Sequence, residues 1–260
     1  MLIIQPIGGL CNRIRAINSA WMLAKERKDS LTVIWNVNHE LGCPFEELFE
    51  PNPNFKVIDI HSKWNLRKLV LQTTSQFISN QDINQNKTDG LLNETYRKSL
   101  SKRIYIATEE HFYPCGSYEL FTPIPSIQKR IQEMTRDFGS HAVGVHIRRT
   151  DNMPAIGKSS TEAFISSMDA ELKEHPDTVF YLATDDRKEE YTLREAFGDL
   201  IISNKDRDLS RDSISGIQDA MIDLYSLAAT KKIIGSYFSS FTDIAADMHK
   251  IPKIIAGENT

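Results

Sequence analysis

The stretch Gly144-Val-His-Ile-Arg-Arg-Thr-Asp151 decides the reading of this chain. It closes the apolar run Ala142 to Ile147, which is short and bounded in the way of a buried parallel strand. Strands of that kind present functional groups at their carboxyl ends and in the loops that follow. Arg148 and Arg149 stand at that end. Guanidinium is planar, permanently charged and matched to two-pronged contact with phosphate, so an arginine pair there points to a phosphorylated ligand. The competing reading is an internal ion pair with Asp151.

Outward from this strand, helical and strand patterns alternate with short connections from Ser126 to the end, the signature of a doubly wound parallel sheet. Strands are expected at 142–147, 178–183, 200–203, 232–235 and 253–256. The helices between them carry apolar residues three and four apart, as in Ile127, Ile131, Met134 and Phe138, or Phe164, Met168 and Leu172. The first half opens alike, with a strand at 2–5, a glycine turn, and a helix placing Ile14, Ile17, Trp21 and Ala24 on one face. Strands at 31–35, 55–59 and 103–107 follow. Residues 72–100 are rich in Gln, Asn, Thr and Ser, and read as a surface excursion or mobile loops. Pro123 and Pro125 mark the boundary. The expectation is an α/β protein of two Rossmann-like domains, 1–122 and 123–260, facing across a cleft.

The bulk numbers narrow the function. The 260 residues are 40% hydrophobic and 25% charged, a globular composition, and the net charge of -4 excludes a nucleic-acid surface as the main business. Cys11, Cys43 and Cys115 lack CxxC spacing, which fits a reducing compartment. The start, MLIIQPIGGL, has no basic segment, and no later window approaches a transmembrane segment, so a cytoplasmic protein is expected.

Four further groups carry chemistry. Gly8-Gly9-Leu-Cys-Asn12-Arg13, between the first strand and helix, lets backbone approach a ligand and offers helix amides to an anion; a tight turn with an exposed Arg13 is the plainer reading. His146 alternates onto the same side as Arg148, or is a satisfied core histidine. Asp185 and Asp186 follow an apolar strand, able to orient a sugar hydroxyl or hold an arginine, or merely to cap a helix. Ser239-Ser240-Phe241 begins a helix, as an anion site or a serine cap. Two motifs fail. Gly157-Lys158-Ser159 lacks the earlier glycine of a P-loop, Asn152 standing there. Asp206-Arg-Asp208 matches a DxD metal signature but lies in a polar run, Asn204 to Asp212, that reads as a solvated loop. No paired His/Cys spacing offers a zinc site, and no metal is expected.

Taken in order, GVHIRRTD, VFYLATDD, DSISGIQDAMIDLYSLA and GSYFSSF resemble the core of the α1,6-fucosyltransferase and nodulation-factor fucosyltransferase superfamily, to which protein O-fucosyltransferases are more distantly related. The match spans roughly 141–249, and GGLCNR resembles the family's N-terminal glycine loop. The resemblance implies a GT-B-like fold and a metal-independent glycosyltransferase that takes fucose from GDP-fucose to a glycan acceptor with inversion. GDP-fucose is then a co-substrate and no cofactor is needed. It implies that Arg148 binds the diphosphate with Arg149 in support. His146 and Asp223 recognise guanine, Ser239 and Ser240 contact phosphate with Phe241 beside them, and Asp185 and Asp186 lie near the donor with Asp151. Gly9, Asn12 and Arg13 complete the donor loop. Glu162, in a Thr-Glu-Ala-Phe segment similar to the family's, becomes the candidate general base.

This chain departs from the pattern at Asn152, where lysine is common, and at Phe241, where closer relatives carry glutamine. It also has extra residues before Glu162. Without the eukaryotic relatives' anchor and accessory domain, a soluble prokaryotic enzyme of polysaccharide biosynthesis is expected. The alternatives are a GDP-sugar-binding protein without turnover and a metal-dependent transferase using Asp206 and Asp208.

Overall fold

The computed structural model describes residues 1–62, 64–115, 118–150 and 153–258. Asp151, singled out above, lies outside the described residues. The chain divides into two units, Met1–Ile124 with Ser210–Ile217, and Pro125–Leu209 with Gln218–Thr260.

The first unit runs β1 (Leu2–Pro6), α1 (Leu10–Arg27), β2 (Leu31–Asn36), β3 (Phe55–Ile60), α2 (Leu66–Thr73), β4 (Gln76–Ile78), α3 (Asn80–Gln85), β5 (Lys87–Thr88), β6 (Leu91–Leu92), α4 (Glu94–Ser99) and β7 (Ile104–Thr108). Its five-stranded sheet has the order β3-β2-β1-β7-β4. Every pairing in it is parallel, so each step needs a crossover. Leu2, Ile3 and Ile4 are wholly enclosed at its centre. Helix α1 stops at a left-handed Lys28 whose N–H returns to Ala24 and Lys25, with Lys25 and Arg27 in the last turn complementing the helix dipole.

Residues 72–100, expected as a surface excursion or mobile loops, are folded into short elements. Strand β4 adds to the sheet edge, α3 starts at a capping box between Ser79 and Asp82, β5 and β6 form a hairpin, and Asn93 caps α4. The polar residues that read as loop are the caps themselves.

The second unit runs α5 (Pro125–Thr135), β8 (Ala142–Ile147), α6 (Met153–Lys158), α7 (Thr161–Glu174), β9 (Val179–Thr184), α8 (Arg187–Phe197), β10 (Ile201–Ile202), α9 (Ile214–Ala228), β11 (Lys232–Gly235), α10 (Ser240–His249) and β12 (Lys253–Ile255). The first residues of α9 group with the first unit. The sheet order is β10-β9-β8-β11-β12, again parallel throughout. Val143, Val145 and Ile147 of β8 bury one face against Phe164 and Met168 of α7 and Leu193 and Phe197 of α8. Each such side chain contributes about 1.5–3 kcal/mol. Between Arg149 and Glu162, Met153–Lys158 form α6.

In both sheets the strand order reverses at one place, beside β1 in the first unit and beside β8 in the second. Connections leaving such a strand diverge to opposite faces, which opens a crevice at its carboxyl end.

Candidate functional site

Alternation along β8 sorts the two arginines. Arg149 continues the face of Val145 and Ile147, toward α7 and α8. Its guanidinium donates through Nε to Glu189 at 2.7 Å, through Nη1 to the Ser159 carbonyl at 2.9 Å and more weakly through Nη2 to Thr161. It also lies 5.8 Å over the Phe164 ring, with its side chain only 10% exposed. Arg148 takes the other face. Its backbone N–H donates to Ser236 Oγ, and its Nη1 pairs with Asp185 Oδ2 at 2.9 Å, the side chain remaining 24% exposed. Both arginines are therefore ion-paired, one deeply and one at the rim.

Asp185 is the hub of this rim. Oδ1 accepts from the Arg149 N–H at 2.8 Å, and Oδ2 from the Thr150 hydroxyl and N–H besides Arg148. If Arg148 swung away, the carboxylate would keep three donors. Asp186 serves as the N-cap of α8, its Oδ1 accepting from the Lys188 N–H. Glu162 stands exposed in the first turn of α7. Hydrogen bonds from its own backbone and from Ser160 hold its carboxyl below the usual range.

His146 and α10 form the neighbouring group. The ring's Nδ1 is 2.8 Å from the Thr242 hydroxyl and 3.5 Å from that of Ser239, and its face stacks on Phe241 at 4.7 Å. Burial pulls the ring's pKa down to about 4, so His146 is neutral at physiological pH. Gly235 makes the approach possible, because a Cβ there would meet Thr242 at 2.2 Å. Ser239 is the N-cap residue of α10 without a side-chain cap bond, and Ser240 opens the helix. Phe238, just before, is 79% exposed at a left-handed φ of 51°, a conformation costly for an aromatic residue.

Asp223 sits in a different group. Its Oδ1 accepts from the Tyr181 hydroxyl at 2.7 Å, and burial pushes its carboxyl up to about 7 against the pull of Arg207. The run from Asn204, expected as a solvated loop, is partly interior. Arg207 is 1% exposed and donates to Glu190 at 2.9 Å, while Ser203 and Asn204 are buried. Asp206 is exposed, and the Asp208 N–H donates to Asp219. The DxD pair thus flanks an enclosed cation. Among the described residues, the group with metal-ligand spacing is His141, Glu171 and His175, and Lys232 already pairs with Glu171 there.

The glycine loop of the first unit closes on itself. Gly8 has a φ of 77°, its N–H donates to Glu40, and Asn12 Nδ2 donates to Glu109 at 2.9 Å. Gly9 caps α1 and faces open space. Arg13 departs from the expectation of a ligand contact, since it is fully enclosed. It donates to the carbonyls of Gly8 and Asn36 and to Asn38 Oδ1, and lies 4.9 Å over Trp35. Burial lowers its pKa to about 10, opposed by Glu40, so it stays charged.

The structure brings Arg148, Arg149 and Asp185 together, and His146 with Ser239 and Phe241. Sequence reasoning missed Ser159, Thr161 and Glu189, which clasp Arg149, and Thr242 and Ser236 beneath His146 and Arg148. Glu189 and Thr161 each lie in a helix's first turn, where polar residues are ordinary, so nothing in the spacing singles them out.

No protein-family model matches the chain, and no curated protein sequence does. Solved structures do. NodZ α-1,6-fucosyltransferase co-crystallised with GDP, an enzyme also solved from Bradyrhizobium, superposes with a TM-score of 0.64 at 18% identity, over 94% of this chain and 91% of that one. The fold is the fucosyltransferase fold. An Arabidopsis thaliana FUT1 mutant in complex with GDP shares it, with a TM-score of 0.63 at 12% identity, over 98% of this chain and 69% of that one. POFUT1 in complex with GDP-fucose does so too, at 0.65 and 11%, over 98% of both chains. No helix among the described residues is long and apolar enough to cross a membrane.

Proposed function

We propose that this protein is a cytoplasmic, inverting, metal-independent glycosyltransferase that moves fucose from GDP-fucose to a glycan acceptor in polysaccharide biosynthesis. The observation that carries the reading is Arg148, a partly exposed cation at the strand-order reversal, held by a carboxylate with other donors to fall back on. Solved structures of this fold that contain GDP or GDP-fucose support the same ligand class.

As the glycosidic bond breaks, negative charge grows on the departing diphosphate and must be met by fixed donors. Arg148 turns from Asp185 to the phosphates, and Ser239, Ser240 and the free amides opening α10 meet the remaining oxygens. Arg149 acts at one remove. Clasped by Glu189, Ser159 and Thr161, it fixes the backbone from which Arg148 projects. Neutral His146 lies against Phe241 as a flat, uncharged partner for the base, and Asp185 and Asp186 line the donor side. Residues 1–122 hold the acceptor and 123–260 the donor.

Calorimetry with GDP in the presence of a chelator tests this. GDP binds the native protein, and Arg148→Ala weakens it about 100-fold, the loss of one or two charge-assisted hydrogen bonds. Equal affinity in the variant overturns the reading. GDP release from GDP-fucose separates a transferase from a protein that only binds the sugar nucleotide.

A further inference from the structure

Helix α2 wears its apolar face outward. None of its residues is fully buried, and Leu71 is its hydrophobic packed on the cluster of Ile3, Ile34, Ile60 and Tyr105. Leu66, Leu69 and Val70, spaced so as to share one side of a helix, are 77%, 51% and 48% exposed. Trp64, just ahead of the N-cap Asn65, is 90% exposed. Phe77 on the edge strand β4 is 49% exposed and stacks on Tyr105, part of the cluster that receives Leu71. An amphipathic surface helix normally turns such residues to the core. Large apolar side chains left together on one helix face in water mark a contact surface.

Charge says what covers it. From Ile60 to Gln81 the sequence holds Lys63, Arg67 and Lys68 and no acidic residue, in a chain whose net charge is -4. A second copy docking through the same patch would set cations against cations. An anionic surface would be attracted. Tryptophan at a helix end, leucine and valine outward and cations interleaved suit a helix lying in the headgroup layer of a bilayer, its apolar side chains at the acyl boundary.

We propose that Trp64, the outward face of α2 and Phe77 dock this protein onto a membrane surface containing anionic lipid. Sedimentation with phosphatidylcholine vesicles, with and without phosphatidylglycerol, tests it. The native protein sediments with the phosphatidylglycerol vesicles and is released by salt, while the double variant Trp64→Ser, Leu69→Ser binds about tenfold more weakly. GDP affinity is the same in both proteins, which separates this surface from the nucleotide site. Failure of the native protein to bind anionic vesicles overturns the proposal, as does equal binding by the variant. So does a concentration-dependent dimer that the same substitutions abolish, because the occupant is then a second copy.

Discussion

Each unit places an arginine beside its strand-order reversal, and the two are used in opposite ways. Arg13 is sealed in the first unit, its donors turned onto Gly8, Asn36 and Asn38. Arg148 stands at the rim of the second, paired with a carboxylate but still in reach of solvent. Both follow an apolar strand, so strand position alone does not tell a scaffold cation from a ligand-binding one. What surrounds the guanidinium decides. Carbonyls and an amide oxygen make a permanent cage, whereas a carboxylate with three other donors can release its partner.

The sharpest test of that contrast removes the caged cation. Arg13→Ala takes the guanidinium from the Gly8 and Asn36 carbonyls and leaves a void beside Trp35, and should cost roughly 4 kcal/mol in urea unfolding. A loss under about 1 kcal/mol would show that Arg13 is no keystone. Acid distinguishes the units next. His146 is held neutral in the fold down to about 4 but protonates near the usual 6.5 when unfolded. The stability this supplies is complete above 6.5 and is lost as pH falls toward 4, roughly 3 kcal/mol at about 1.4 kcal/mol per unit. His146→Gln should flatten that part of the Tm-against-pH curve. Arg13, lowered only to about 10, adds no slope in acid. Arg148→Ala should shift unfolding by about 1 kcal/mol or less while abolishing most GDP binding, the reverse of Arg13→Ala. Arg149→Lys should cost about 2 kcal/mol, because one ammonium cannot serve Glu189, the Ser159 carbonyl and Thr161 together. At the small end, Gly8→Ala forces a side chain into φ 77° with Cβ 2.9 Å from Asn12 Nδ2, for about 1 kcal/mol.

Much of this architecture was written in apolar periodicity. Ala142–Ile147 and Lys232–Gly235 are bounded as the pattern predicts, and the glycine turn after β1 is where it was expected. The rest depends on long-range partners. That Arg13 is enclosed follows from Asn36 and Asn38, more than twenty residues on, which no local pattern announces. Arg207 reads as solvated because its neighbours are polar, yet Glu190 from α8 draws it inside. Residues 72–100 looked unstructured because their helices are too short to show a period, and their caps carry the same residue types as loops. The candidate site was legible as a set of residue types at a sheet rim. Its internal wiring, Asp185 to Arg148 and Glu189 to Arg149, was not, since carboxylates are common and only geometry selects among them.

Residues Ser210–Ile217 belong with the first unit although both flanks belong with the second. Gly42 shows how firmly, its N–H donating to the Arg211 carbonyl at 2.7 Å and its missing side chain making room for Asp212. During synthesis the opening 124 residues therefore emerge without a piece they need, and wait for most of the second unit to be translated before that piece arrives. A fragment stopped at Ile124 would keep an amide with nothing to hold.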